Sequence, residues 1–196
     1  MIGAIVAGGA SSRFGGEPKG LELVGGRRII DRVADALRRA VDELVLVANA
    51  PDADRWLPGV RLVRDSGEQR GSLVALQTAL SAARGDDVLL VAWDMPFVTA
   101  ELLRFIRSKL VAPVDAAVPE LPTGLEPFCA AYSHKCLTVV ERQLSGGNLQ
   151  MAAFIDELRI VRRIGSAELT PFGDPARVFF NVNSATDLAT AQRLTS

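Results

Sequence analysis

The sequence predicts an α/β fold of three layers, a mostly parallel sheet with helices on both faces, and three observations lead there. Short apolar, β-branched runs alternate with helical patterns along nearly the whole chain, the order expected of successive βαβ units. Two of those runs, 44–47 and 88–92, are apolar without interruption, as strands buried on both faces are. At 196 residues, 48% hydrophobic and 23% charged, the chain is long enough for one well-buried core and is expected to form a single domain over 1–196.

The first strand is expected over 2–6 and leads into a glycine-rich loop. A small strand near 21–24 follows, then a helix over 29–40 whose Ile30, Val33, Ala34, Leu37 and Val41 fall on one face. The 44–47 run gives the next strand and 60–63 another. Residues 71–83 read as a helix, with Leu73, Leu76 and Leu80 at helical spacing, and 88–92 as the strongest strand, ending at Trp93-Asp94-Met95-Pro96. Thr99 is placed to cap a helix through 109, its hydroxyl accepting from free first-turn amides, with Glu101 favourable to the helix dipole. Strands over 115–118 and 127–132 come next, then helices over 134–144 and 149–158 divided by Ser145-Gly146-Gly147. A late strand over 178–180 and a helix to 194 capped by Ser184 complete the reading.

Composition excludes several function classes. The formal net charge of −1 provides no global attraction for nucleic acid or an anionic membrane, so neither is expected as a partner and any anion site must be local. No apolar stretch reaches the roughly 18 residues of a membrane span, and the first residues carry no basic leader, which points to the cytoplasm. Cys129 and Cys136 flank the single histidine, His134, at a spacing that does not suit zinc, so they are expected to be buried thiols in a reducing compartment.

The loop after the first strand reads Gly8-Gly9-Ala10-Ser11-Ser12-Arg13-Phe14-Gly15-Gly16-Glu17-Pro18-Lys19-Gly20 and holds five of the chain's 17 glycines. Glycine lets successive backbone N–H groups turn toward one point, forming an anion nest, to which Ser11, Ser12, Arg13 and Lys19 add donors and charge. A polyphosphate fits that chemistry. Lysine occurs only three times against 19 arginines, so a compact ammonium at position 19 stands against the chain's own bias. The stretch contains no G-x-G-x-x-G, and Gly20 follows Lys19 where a P-loop needs Ser or Thr, so neither familiar phosphate motif applies.

Asp94 follows the strongest strand directly and should stand at its carboxyl end, where open α/β sheets bind ligands. Magnesium carried on a triphosphate needs only one or two protein carboxylates, and Asp94 is the candidate metal ligand. Asp65, which ends the 60–63 strand segment before Ser66-Gly67, is a second candidate on that edge, and Asn49, after the 44–47 strand, a third.

Taken together, Val6-Ala7-Gly8-Gly9, Ser12-Arg13-Phe14-Gly15, Lys19, Asp65-Ser66, Trp93-Asp94-Met95-Pro96-Phe97 and the late Phe180-Asn181-Val182-Asn183-Ser184 resemble the bacterial molybdenum cofactor guanylyltransferases over nearly the whole chain. The resemblance implies a Rossmann-like nucleotidyltransferase fold of the nucleotide-diphospho-sugar transferase type. It implies transfer of GMP from GTP to the molybdopterin cofactor with release of pyrophosphate, with Mg²⁺ as cofactor and molybdoenzymes or cofactor-insertion proteins as further partners. By residue, it places Val6, Ala7 and Gly8 at the nucleotide, Lys19 on the phosphates, Asp65 near the nucleoside and Asp94 on nucleotide and metal; Gly9 and Arg13, from the same loop, are further candidates for the nucleotide and for the charge on the departing pyrophosphate. The nucleotide position of the second strand aligns with either Val47 or Asn49. Asn181 and Asn183 would face the pterin or brace the site.

Three departures from the family pattern are present. Val6 stands where leucine is usual, Pro18 where an acidic residue is common, as in some sugar-nucleotide pyrophosphorylases, and the family's second-strand asparagine aligns with Val47 as well as with Asn49. A cytidylyl or sugar 1-phosphate transferase, and a nucleotide-binding regulator without turnover, therefore stand as alternatives. Guanine is favoured over cytosine because the cytidylyl relatives read Ala-Ala-Gly where this chain has Ala7-Gly8-Gly9, and the second glycine removes a methyl and leaves room for a purine.

Overall fold

The computed structural model describes residues 1–8, 13–14, 17–66 and 69–195, with the backbone alone at 13, 14 and 17. An eight-stranded sheet runs through the centre: β1 (Ile2–Ala7), β2 (Glu43–Ala48), β3 (Arg61–Val63), β4 (Val88–Ala92), β5 (Ala116–Leu121), β6 (Gly124–Leu125), β7 (Cys129–Tyr132) and β8 (Val161–Gly165). Its order is β5-β7-β4-β1-β2-β3, with β6 and β8 also pairing to β5. All six residues of β1 are buried, which is why the strand reads as unbroken apolar sequence and lies parallel between β2 and β4. Only β7 and β6 run against the others. After β3 the chain returns across β1 to lay down β4 on its other side, so the strand order reverses beside β1, and the carboxyl ends there form a topological switch point.

The two sheet faces bury alternate residues of each strand. Ile5, Ala7, Leu46, Leu89 and Val91 pack toward α1 (Ile29–Arg38) and α3 (Ala100–Ser108). Ala4, Val6, Val45, Val47 and Leu90 pack toward α2 (Ser72–Ala82), α4 (Cys136–Ser145) and α5 (Met151–Glu157). This alternation with helices on both faces gives the three predicted layers. Thr99 Oγ1 accepts from Leu102 N at 3.2 Å, the cap expected for α3.

Two readings change. The predicted strand over 178–180 is instead the end of a helical turn over Pro175–Val178, equal in length to the earlier turn over Ser166–Leu169, with Val178 and Phe179 buried at its end. Asp174 accepts from Ala176 N at 3.0 Å and Pro175 opens the turn, a start signal that outweighs the β propensity of Val-Phe-Phe. Conversely, β8 was not predicted: Arg162 and Arg163 break its apolar pattern, and it pairs only with β5.

Between β1 and α1 the chain forms two small ribbons. Arg13–Phe14 pairs with Glu17–Pro18, one 3₁₀ turn covers Lys19–Leu21, and Leu23–Val24 pairs with Arg27–Arg28. The predicted strand near 21–24 is thus confined to its last two residues. Gly25 and Gly26, at φ +56° and +74°, make the two-residue turn whose left-handed backbone matches strand twist.

Candidate active site

A cavity of about 650 Å³ opens at the carboxyl edge of the sheet, beside the switch point. Val6, Ala7 and Gly8 close one wall at the end of β1, and Val47, Asn49 and Asp65 another beyond β2 and β3. Gly71, Ser72 and Ala75 contribute the start of α2, while Trp56, Trp93, Pro18 and Phe128 complete the lining. Val47 and Asn49 both reach the cavity, but only Asn49 brings polar atoms, and these organise Asp65. Asn49 Nδ2 donates to Asp65 Oδ2 at 2.6 Å, Asp65 N donates back to Asn49 Oδ1 at 2.9 Å, and Thr78 Oγ1 donates to Asp65 Oδ1 at 2.7 Å. Each oxygen of Asp65 therefore already holds one donor, and the carboxylate is fixed in direction.

Lys19 and Asp94 form a buried ion pair, at 5% and 6% exposure. The 3₁₀ turn carries Lys19 inward, and Lys19 Nζ also donates to Asn183 Oδ1 at 2.9 Å. Asp94 is held by its backbone: Trp93 N donates to Val6 O at 3.1 Å, extending the β1–β4 ladder past the strand end, and Val182 N donates to Asp94 O at 2.9 Å. Two charges this dehydrated are tolerable only because each neutralises the other. Among the described residues, Asp94 Oδ1 is buried without a hydrogen-bond partner. An acceptor oxygen in that condition is incomplete without a ligand.

The two asparagines separate. Asn183 braces Lys19, whereas Asn181 Nδ2 turns back to Phe179 O at 2.9 Å. Gly9 and the Arg13 side chain lie outside the described residues. His134 stands at the start of α4, half exposed, its ring beside Asp87 at 3.2 Å, and both cysteines are buried. Among the described residues no three His, Cys, Asp or Glu cluster as a metal site. A divalent ion held by one carboxylate and completed by substrate phosphates and water fits that donor set, with Asp94 Oδ1 as the protein's oxygen.

Sequence reasoning missed the tryptophans. Trp56 and Trp93 stack at 5.0 Å and 20°, and a Cβ at Gly20 would come within 2.3 Å of the Trp93 ring. Trp93 is thus held against both Trp56 and the backbone that carries Lys19. Its position next to Asp94 was the available signal; its contact with Trp56 depends on the fold.

This geometry, a nucleotide-sized cavity at the switch point with a buried lysine–carboxylate pair next in sequence to its lining residues Pro18 and Trp93, agrees with a family model for the MobA-like NTP transferase domain that matches residues 3–161. The chain belongs to that family. It is 37% identical over 193 residues to the molybdenum cofactor guanylyltransferase of Desulfosudis oleivorans, an alignment covering 98% of this chain and 94% of that protein. It is 34% identical over 190 residues to the probable molybdenum cofactor guanylyltransferase of Pelotomaculum thermopropionicum, covering 97% and 91%. The crystal structure of molybdopterin-guanine dinucleotide biosynthesis protein A from Archaeoglobus fulgidus superimposes with a TM-score of 0.84 at 24% identity, over 100% of this chain and 98% of that one, which establishes the shared fold. Among the described residues no helix is long and apolar enough to cross a membrane.

Proposed function

We propose that this member of the MobA-like NTP transferase family transfers GMP from GTP to the terminal phosphate of the molybdopterin cofactor, in the cytoplasm, forming the guanine dinucleotide cofactor and pyrophosphate. The buried Lys19–Asp94 pair, whose chain neighbours Pro18 and Trp93 line the cavity, is the observation that carries the reading. The acceptor phosphate attacks the α-phosphorus in line and pyrophosphate leaves, so the protein needs no nucleophile of its own; positioning and charge neutralisation suffice. Val6, Ala7 and Gly8 line the nucleotide's place at the end of β1, and the fixed carboxylate of Asp65 orients the nucleoside. Lys19 steadies the phosphates, assisted in this reading by Arg13 and the Gly9 segment of the loop. Asp94 would hold magnesium, which supplies charge neutralisation at phosphate oxygens when bound.

Within the fold Lys19 and Asp94 also compensate one another's charge. Calorimetry with GTP, CTP, ATP and UTP in magnesium, followed by pyrophosphate release with molybdopterin, tests the function. GTP is expected to bind best and to turn over. A preference for CTP, or turnover with a sugar 1-phosphate instead, would overturn the guanylyl assignment. Asp94→Ala should leave a folded protein without transfer, and Lys19→Ala should lose at least about tenfold in kcat/KM, about 1.4 kcal/mol. Full turnover in EDTA would remove magnesium from the scheme.

A further inference from the structure

Glu126 lies outside the machinery described so far, yet the sheet brings it to the same edge. β7 runs antiparallel to β4, with Cys129 opposite Val91 and Ala130 opposite Leu90, and Ala92 N donates to Phe128 O at 2.7 Å. The start of β7 therefore meets the end of β4, two residues before Asp94. Its backbone is fixed on two sides: Glu126 N donates to Pro119 O at 2.9 Å, and Cys129 N donates to Glu126 O at 3.1 Å. The side chain is half-buried, and among the described residues it has neither a hydrogen-bond donor nor a cation. Burial alone pushes its carboxyl above the ordinary carboxylate range, whereas Asp35, Glu157 and Glu168 are all lowered by arginines. A partly dehydrated carboxylate held in place without a donor is costly for the fold and fits a role in binding.

Sheet order decides which substrate it would meet. The cavity's strand-end lining comes from β1, β2 and β3, closed by Trp93 after β4 and Phe128 before β7, and Glu126 lies two residues before Phe128 in the chain, past β4 from the strands that form most of that lining. If the nucleotide occupies the cavity, the acceptor must approach the α-phosphate from elsewhere along the edge. A pterin carries a 2-amino group beside a ring N–H, two parallel donors that match the two oxygens of one carboxylate. We infer that Glu126 is an acceptor-binding residue, receiving the 2-amino-4-oxopyrimidine edge of the pterin. This rests on the function proposed above. Guanine carries the same edge, so the test must separate the two.

Glu126→Gln keeps the shape but replaces one acceptor oxygen with an N–H donor that opposes the ring. With molybdopterin as the varied substrate, its KM should rise at least about tenfold, while the calorimetric Kd for GTP stays at the wild-type value and shows the fold to be intact. Glu126→Asp, which keeps the charge on a shorter arm, should recover part of the loss. An unchanged acceptor KM would overturn the inference, and so would a weakened GTP Kd, which would assign the residue to guanine or to folding. Failure of the wild-type protein to transfer GMP would instead overturn the function itself.

Discussion

Substituting Gly20 by alanine tests the link between packing and the active site, because the structure sets the size of the clash. The new Cβ would meet Trp93 Cε3 at 2.3 Å, Cδ2 at 2.5 Å and Cζ3 at 3.0 Å. Carbon atoms rest at about 3.5–4.0 Å, so something must move by roughly 1 Å. Trp93 has little freedom to retreat, being 1% exposed and stacked on Trp56, so the displacement falls largely on the 3₁₀ turn that carries Lys19. Overpacking of this kind costs about 1–3 kcal/mol. For a chain of this size that corresponds to a fall of about 2–12 °C in Tm. A shift of roughly 1 Å in a positioning group can cost about a hundredfold in rate, so GMP transfer should fall well beyond what the lost stability explains below Tm. Thermal unfolding and kcat/KM on the same preparation measure both effects. Adding Trp93→Leu should restore part of the lost stability, a coupling of about 0.5–3 kcal/mol in the double-mutant cycle. Wild-type Tm and turnover in Gly20→Ala, or strict additivity with Trp93→Leu, would refute the reasoning.

Three further outcomes follow from the same structure. Both tryptophans of the chain line the cavity, so GTP titration should change the intrinsic fluorescence; constant emission at a GTP concentration that calorimetry shows to be saturating would place the nucleotide elsewhere. Cys129 and Cys136 are buried, and burial raises both thiols, Cys136 to about 12, so an aromatic disulfide reagent at pH 8 should label neither in the native protein and both in denaturant. Rapid native labelling would contradict that burial. Burial raises the folded-state pKa of Glu126, so its ionisation opposes folding: that part of the stability is intact below the unfolded pKa and is lost as pH rises through the folded one. Glu126→Gln should therefore unfold at a higher urea midpoint than wild type at pH 7, with the gap narrowing toward pH 4.5; a constant gap would point to packing instead.

How much was legible in the sequence depended on whether local chemistry or distant packing controlled each feature. β1, β2 and β4 are covered on both faces and carry unbroken apolar runs, so their pattern alone revealed them. β8 pairs only with β5 and can carry Arg162 and Arg163, which disguised it. Val178-Phe179-Phe180 differs in the opposite sense, because the Asp174-Pro175 helix start that precedes it outweighs its β preference. In the site, Lys19, Asp65 and Asp94 stand at strand ends or in the glycine loop, where sequence position implies exposure to a ligand. The Trp56–Trp93–Gly20 contacts join residues far apart in the chain, and no local pattern encodes such a meeting.

Asn183 shows why the end of the chain belongs to the site. The family match stops at residue 161, yet Asn183 Oδ1 receives Lys19 Nζ across a separation of 164 residues. Its own position is set by the start of the last helix, Ala185–Thr195: Asn183 N donates to Asp187 Oδ2 at 3.0 Å, Ser184 Oγ donates to the same oxygen at 2.9 Å, and Asp187 N donates to Ser184 Oγ at 3.1 Å. This arrangement is a helix cap, and Val182 N on Asp94 O ties it to the end of β4. A lysine on a short turn has many rotamers, and ordering such a chain costs up to about 2 kcal/mol. Here that ordering is accomplished before substrate arrives, by one carboxylate from β4 and one amide anchored to the last helix. The glycine loop therefore supplies the ammonium, but the strand end and the C-terminal cap determine where it points.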